Sequence, residues 1–261
     1  MPRSARLDAP GVLHHVIIRG IERRNIFQDN KDRDDLLKRL GELLPDTQTS
    51  CYAWALLPNH AHFLLRTGTT GLSVVMKRLL TGYVVTFNRR YSRHGPLFQN
   101  RFKSIICQEE NYLKELVRYI HLNPLRAGIV SDLNGLRAYE YGGHSALMGE
   151  RVCEWVDTKY VLSYFGKTLN KARGEYRLYV KEGAASGHRP ELVGGGLIRS
   201  LGGWEAIKKM RVNGPERVQS DQRILGDSDF VKDVLKEAGE KFERFYEMKR
   251  LGYDLKKIED R

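Results

Sequence analysis

Residues 50–66 read SCYAWALLPNHAHFLLR, which is two mainly apolar runs separated by Pro58-Asn59. The runs Ser50 to Leu57 and His60 to Arg66 have the length and the apolar, aromatic character of strands. A proline followed by an asparagine favours a tight turn. The stretch therefore predicts a β-hairpin, and the rest of the fold can be built outward from it.

Strand and helix patterns alternate on both sides of this hairpin. LHHVIIR is short, rich in β-branched residues and closed by Gly20, whereas the segments that follow each strand carry leucines at helical spacing. Pro124 ends the last of these helices. The predicted order is β at 13–19, α at 29–44, β at 50–57, β at 60–66, α at 71–91, β at 102–107 and α from 109 to about 122.

This β-α-β-β-α-β order is typical of ferredoxin-like and RRM-like domains. It predicts an α+β fold with a central antiparallel sheet, helices on one face and the other face available for a ligand. Residues 131–165 look loop-rich, and residues 1–165 are expected to form the main domain. From residue 166 the composition is glycine-rich and basic, with a helix predicted from Asp227 to about Arg250. We expect 166–261 to be a helical accessory, DNA-binding extension, and a helix that begins at Asp254 suggests that this extension is truncated.

Net charge is the first guide to function. The 261 residues include 44 Lys and Arg against 32 Asp and Glu, a net charge of +12. Such an excess attracts polyanions, of which nucleic acid is the commonest in a cell. The three cysteines form no C-x-x-C pair, and neither a signal peptide nor a membrane-length apolar run is found. The sequence thus predicts a reduced, cytoplasmic protein without a membrane segment or structural zinc site.

His60-Ala61-His62 is the strongest candidate for a metal site. Side chains alternate along a strand, so both imidazoles lie on one face while Ala61 and Phe63 point to the other. Two imidazoles on one face can converge on one metal ion. A lone H-x-H arises easily by chance, and its position directly after the Pro-Asn turn is what favours the functional interpretation.

A second candidate group lies in RYIHLNP, residues 118–124. Tyr119 and Asn123 are four residues apart, so they share one face of the third helix. A positioned phenol can act as a nucleophile, and an amide oxygen is a suitable ligand for Mg²⁺ or Mn²⁺. The apolar stripe of this helix is already supplied by leucine, valine and isoleucine, which leaves Tyr119 and Asn123 near its edge.

Four segments together resemble the REP-associated tyrosine transposases and the related single-tyrosine HUH transposases of insertion sequences. They are HVIIRGIERRNIF, LLPNHAHFLL, GPLFQNRFKSI and VRYIHLNPLRAGIV, in that order within residues 1–145. The resemblance implies that His60, His62 and Asn123 bind the metal and that Tyr119 is the nucleophile. It also implies cleavage of hairpin-forming single-stranded DNA through a 5′-phosphotyrosine that leaves a 3′-hydroxyl. Such relatives include monomers and domain-exchanged dimers, so a homodimer stays open.

Several cations lie at predicted strand ends or in adjoining loops, where backbone phosphates would pass. The candidates for DNA binding are Arg19, Arg23, Arg24, Arg101 and Lys103.

Three other functions remain open at this point. A non-catalytic RRM-like module would explain the charge, but it calls for aromatic pairs where His60 and His62 stand. Another HUH nuclease, such as a replication initiator or a relaxase, is the second; relaxases typically have a three-histidine cluster and a longer chain. A metalloenzyme with water as its nucleophile is the third, and it would place carboxylates near the metal.

Overall fold

The structure, a computed structural model, describes residues 7–8, 10–184, 192, 221 and 223–237. Each of the seven elements predicted around the hairpin is present, with ends shifted by at most two residues. In chain order, the α-helices and strands of the described residues, including those beyond the seven predicted, are β1 (Leu13–Arg19), α1 (Asn30–Asp46), β2 (Ser50–Leu57), β3 (His60–Arg66), α2 (Leu72–Arg90), β4 (Lys103–Cys107), α3 (Glu109–His121), α4 (Asn123–Arg126), α5 (Leu133–Ala138), α6 (Gly143–Met148), α7 (Thr158–Ser163), α8 (Leu169–Ala184), β5 (Ile224–Leu225) and α9 (Ser228–Glu237).

The sheet has the strand order β2-β3-β1-β4-β5. Its first four strands pair antiparallel, as predicted, and β1 lies between β3 and β4. β5 adds a parallel strand to β4 that was not predicted. Two residues are too short to show the alternation by which strands are recognised in a sequence. The α+β fold is confirmed, with a mixed rather than a purely antiparallel sheet.

One face of the sheet, here called the packing face, carries Val16, Ile18 and Phe63. These side chains form a buried apolar cluster with the leucines of α1 and the apolar side of α2. The two helices of the β-α-β-β-α-β core therefore share one face, in agreement with the prediction.

The opposite face, here called the histidine face, carries His15, Ile17 and His62. The prediction left this face open, but α3 lies across it and buries Leu116 and Val117 against the sheet. The physical reason is the apolar stripe of α3, which has to be removed from water. The sheet is therefore covered on both faces, and ligand access to the histidine face is confined to what α3 leaves uncovered.

Residues 131–165, predicted as loop-rich, contain the short helices α5, α6 and α7. Six residues make less than two turns, too few for a helical period to be visible. Beyond them, α8 packs its buried Tyr176 into the cluster on the histidine face. Of the helix predicted from 227 to 250, residues 228–237 are helical. Residues 238–250 lie outside the described residues, as does the Gly194–Gly196 run.

No helix within the described ranges is long and apolar enough to span a membrane.

Candidate metal and nucleophile site on the histidine face

His60 and His62 lie on the same face of β3, with ring centroids 5.2 Å apart. Strand pairing places His60 opposite Arg19 and His62 opposite Ile17 of β1. His60 is half-buried at the end of the sheet, and His62 is only 3% exposed because α3 covers it. The structure thus brings the two predicted ligands together.

The ring orientation of His60 is fixed by its neighbour Asn59. Asn59 donates from Nδ2 to the carbonyl oxygen of Arg23 at 3.1 Å, which turns its Oδ1 towards His60. The His60 Nδ1–H donates to that oxygen at 2.6 Å. The second ring nitrogen, Nε2, therefore holds the lone pair that a metal ion requires.

The carbonyl of Arg23 is presented by a strained turn. Glu22 and Arg23 both have a positive φ, 51° and 61°, a region that non-glycine residues rarely adopt. Such conformations cost on the order of 1–3 kcal/mol each and persist where the surrounding structure fixes them. Here the strained turn anchors the amide that orients His60.

Burial keeps both imidazoles neutral. Loss of solvent, reinforced by the charge of Arg19, lowers the pKa of His60 to about 4. Burial also lowers the pKa of His62 well below its usual value, and His15, His60 and Arg19 add to the effect. Neutral imidazole is the form that binds metals, so both rings are ready for coordination at neutral pH.

Tyr119 projects from α3 onto these histidines. Its ring centroid lies 5.9 Å from that of His62 and 5.9 Å from that of His15, with edge-on geometry in both pairs. The guanidinium carbon of Arg126 lies 5.5 Å from the Tyr119 ring centroid. The sequence placed Tyr119 at the edge of the apolar stripe, but the side chain is only 5% exposed because α3 lies directly on the sheet.

Asn123 lies one turn beyond Tyr119, as predicted, although α3 ends at His121 and Asn123 begins α4. Its Nδ2 donates to the carbonyl of Tyr119 at 2.9 Å and, more weakly, to that of Ile120 at 3.4 Å. Pro124 has no N–H for the carbonyl of Ile120, so the side-chain amide replaces a helix donor. This bonding directs Oδ1 away from those carbonyls and leaves it without a hydrogen-bond partner among the described residues.

The five predicted DNA-binding cations are all exposed and lie near one end of the sheet, where β1 ends and β3 and β4 begin. Arg19 shares the face of His60, and Lys103 pairs with Ile17 on that same face. Arg24 forms an ion pair with Glu22 at 2.9 Å. The cations are Arg19, Arg23, Arg24, Arg101 and Lys103.

The donor set predicted from the sequence, His60, His62 and Asn123, differs from that of a carboxylate-based metal centre. In the part of the chain that the structure describes, no three His, Cys, Asp or Glu residues are grouped to hold a metal ion. Two imidazoles and an amide are all neutral, so an ion held by them would keep its full charge towards a phosphate. The expected ligands therefore suit phosphodiester chemistry.

The sequence did not identify three contributors to this site: Asn59, Arg126 and the role of His15. Alternation along β1 requires that His14 or His15 face the metal pair, and the structure selects His15. No comparable signal marks Asn59 or Arg126, because their contacts depend on the turn at Glu22 and on the position of α4.

Residues 10–123 match the protein family described as "Transposase IS200 like". The match spans β1 to α3, ends at Asn123 and covers less than half of the 261-residue chain. A solved structure described as "Structure of the REP associates tyrosine transposase bound to a REP hairpin" has 16% identity and a TM-score of 0.49, over 60% of this chain and 94% of that one. No curated protein matches the chain.

Proposed function

We propose, on the premise that residues 10–123 belong to the IS200-like transposase family, that this chain cuts and rejoins single-stranded DNA through Tyr119 with the help of a divalent metal ion. The observation that carries the proposal is the position of the Tyr119 ring, 5.9 Å from His62 on the histidine face. A phenol beside two neutral imidazoles is an arrangement that water-dependent hydrolysis does not need. Covalent catalysis instead requires a side-chain nucleophile beside the activating groups, and tyrosine is one of the side chains that can serve.

The residues present fit a metal ion. His60 has its Nδ1 engaged by Asn59 and Nε2 left for coordination, and the Oδ1 of Asn123 is directed away from the helix carbonyls. We propose that His60, His62 and Asn123 hold Mg²⁺ or Mn²⁺, which take hard oxygen ligands and accept imidazole. When bound, such an ion withdraws negative charge from a non-bridging phosphate oxygen.

Tyr119 then performs the covalent step. Its Oη forms a bond to phosphorus while the bond from phosphorus to the 3′ oxygen breaks. The phenol proton passes to solvent, and the departing 3′ oxygen takes up a proton to become a hydroxyl. The product is a 5′-phosphotyrosine, which conserves the diester linkage until another 3′-hydroxyl attacks and releases the phenol.

The substrate proposed is single-stranded or hairpin DNA with a single-stranded flank. The exposed cations beside His60 would contact its phosphates. An RRM-like module would instead stack bases on an open sheet face, and α3 covers that face here. We further propose that residues 1–165 carry the chemistry and that 166–261 form an accessory unit that holds DNA.

A gel assay tests the proposal. DNA labelled on the 3′ side of the cut, incubated with the protein and Mg²⁺, should yield a labelled covalent adduct that survives denaturation. Tyr119→Phe should remove the adduct, whereas Tyr112→Phe, seven residues earlier on α3, should retain it. Peptide mapping should place the DNA on Tyr119. An adduct that persists in Tyr119→Phe, or cleavage without retained label in the unmodified protein, would show that another group is the nucleophile.

A further inference from the structure

His15 is fully buried on the histidine face, between His62 and Leu192. Its Nε2 lies 2.9 Å from Nδ1 of His62, and its Nδ1 lies 3.2 Å from the backbone carbonyl oxygen of Leu192. The two imidazoles also stack, with centroids 5.2 Å apart. Both nitrogens of His15 are therefore engaged, which distinguishes it from a metal ligand.

For neutral imidazoles, the Leu192 carbonyl at one end of this row of hydrogen bonds fixes the tautomer of both rings. A carbonyl oxygen only accepts, so the contact with Leu192 requires a proton on Nδ1 of His15. Neutral His15 then has a lone pair on Nε2 and must accept the Nδ1–H of His62. His62 in turn is left with its lone pair on Nε2.

We infer that His15 is a positioning residue: it sets the tautomer and the ring orientation of His62, with the Leu192 carbonyl as its anchor. The inference deepens the proposed function, because it concerns how a metal ligand is prepared. A histidine ligand is commonly oriented by the hydrogen bond of its other nitrogen, and loss of that partner lowers metal affinity about 10–100-fold. His15 would then orient the ring of His62 by accepting its Nδ1–H, as Asn59 does for the ring of His60.

The neighbouring His14 provides a matched control. It is equally buried and lies on the same strand, but it faces the other side of the sheet and bonds Ser104 Oγ at 3.0 Å. His14 therefore tests the effect of changing a buried histidine on β1 without touching the contact to His62.

The first experiment uses the full-length protein without metal. With ¹⁵N-labelled histidine, NMR distinguishes a protonated Nδ1 from a protonated Nε2 in each ring. We expect His62 and His15 to be protonated on Nδ1 in the unmodified protein. A His62 ring protonated on Nε2 would overturn the inference, and this result does not depend on any variant.

The second experiment measures Mn²⁺ affinity by titration. His15→Phe keeps an aromatic ring but removes the acceptor, so affinity should fall about 10–100-fold. His15→Gln can present an amide oxygen near the position of Nε2 and should recover most of that loss, while His14→Gln should match the unmodified protein. Equal affinity in His15→Phe and the unmodified protein, or a loss in His14→Gln as large as that in His15→Phe, would contradict a positioning role.

Failure of this inference is separable from failure of the proposed function. If the unmodified protein binds no Mn²⁺ and forms no adduct, the proposed function fails whatever the tautomers are. If it forms the adduct but His62 is protonated on Nε2, only the role of His15 fails.

Discussion

The two faces of one sheet are buried to a similar degree, yet they differ in what their polar groups contact. His14 and His15 are successive residues, both fully buried. On the packing face His14 bonds a serine of the next strand, whereas on the histidine face His15 bonds another histidine that lies beside a tyrosine. Burial alone therefore does not separate His14 from the histidine with a proposed role in the site, but their hydrogen-bond partners do.

The same contrast holds between a buried carboxylate on the packing-face side of the sheet, Asp32, and the polar side chains of the histidine face. Asp32 is buried there, but it is paired with Arg90 at 2.9 Å and accepts from Tyr91 at 2.9 Å. That carboxylate has its partners within the fold. On the histidine face the Nε2 of His60 and the Oδ1 of Asn123 remain available for a ligand, because their other polar atoms are already engaged.

The largest effect is expected for His62→Leu on the histidine face. Leucine fills much of the ring's space but cannot bind a metal ion, so adduct formation should fall by about 10³-fold or more, equivalent to roughly 4 kcal/mol of transition-state stabilisation. Adduct yield against time measures the loss, and thermal unfolding checks that the variant folds. A folded His62→Leu protein with ordinary adduct yield would show that the histidine face is no more important for adduct formation than the packing face.

A substitution of Phe63, the adjacent residue on the packing face, should lower stability and leave metal affinity unchanged. Phe63 is fully buried, and Phe63→Ala should lower the free energy of unfolding by about 3–5 kcal/mol. Mn²⁺ affinity of the folded fraction should stay unchanged, since Phe63 points away from the proposed metal ligands. Denaturant unfolding and a Mn²⁺ titration below the midpoint test this, and a specific loss of affinity would show that the faces are coupled.

Asn123→Ala should have a mixed effect, because this side chain both completes a helix and is a proposed ligand. Loss of its bond to the Tyr119 carbonyl should cost about 0.5–1.5 kcal/mol of stability. Mn²⁺ affinity should also fall. If stability falls while Mn²⁺ affinity and adduct yield remain at their ordinary values, Asn123 serves only as a helix donor.

The smallest effect is expected at the exposed cations. Arg19→Gln should weaken single-strand binding and reduce the slope of log affinity against log salt by about 0.7, the value for one phosphate contact. Arg78→Gln on α2 is the control, since Arg78 is exposed and paired with Asp46 on the packing side. Equal changes in the two variants would indicate that binding follows total charge rather than the position of Arg19.

Much of this arrangement could be predicted from the sequence because it follows from local periodicity. Alternation along β3 places His60 and His62 on one face and Phe63 on the other, and the helical period places Tyr119 one turn before Asn123. The covering of the histidine face by α3 could not be read in the same way. It depends on how a helix that follows the last predicted strand turns back across the sheet, a long-range choice that no single segment encodes.

The contact between His15 and Leu192 shows the same limit more strongly. Its partners are 177 positions apart. The alternation of side chains along β1 places His15 on the same face as His62. Only the folding of the chain brings a carbonyl oxygen to its Nδ1. Asn59 belongs to the same class, because its bond depends on the positive φ of Arg23.

The parallel strand β5 has a consequence for synthesis on the ribosome. It pairs with β4 through bonds that include Ile106 N to Arg223 O and Gln108 N to Leu225 O, both 2.8 Å. β4 is complete at Cys107, whereas β5 begins at Ile224. At 5–20 residues per second the edge of β4 stays unpaired for roughly 6 to 23 s after it is made. A nascent chain with an open strand edge is a template for association with its neighbours, so we expect translation-coupled chaperones to raise its soluble yield.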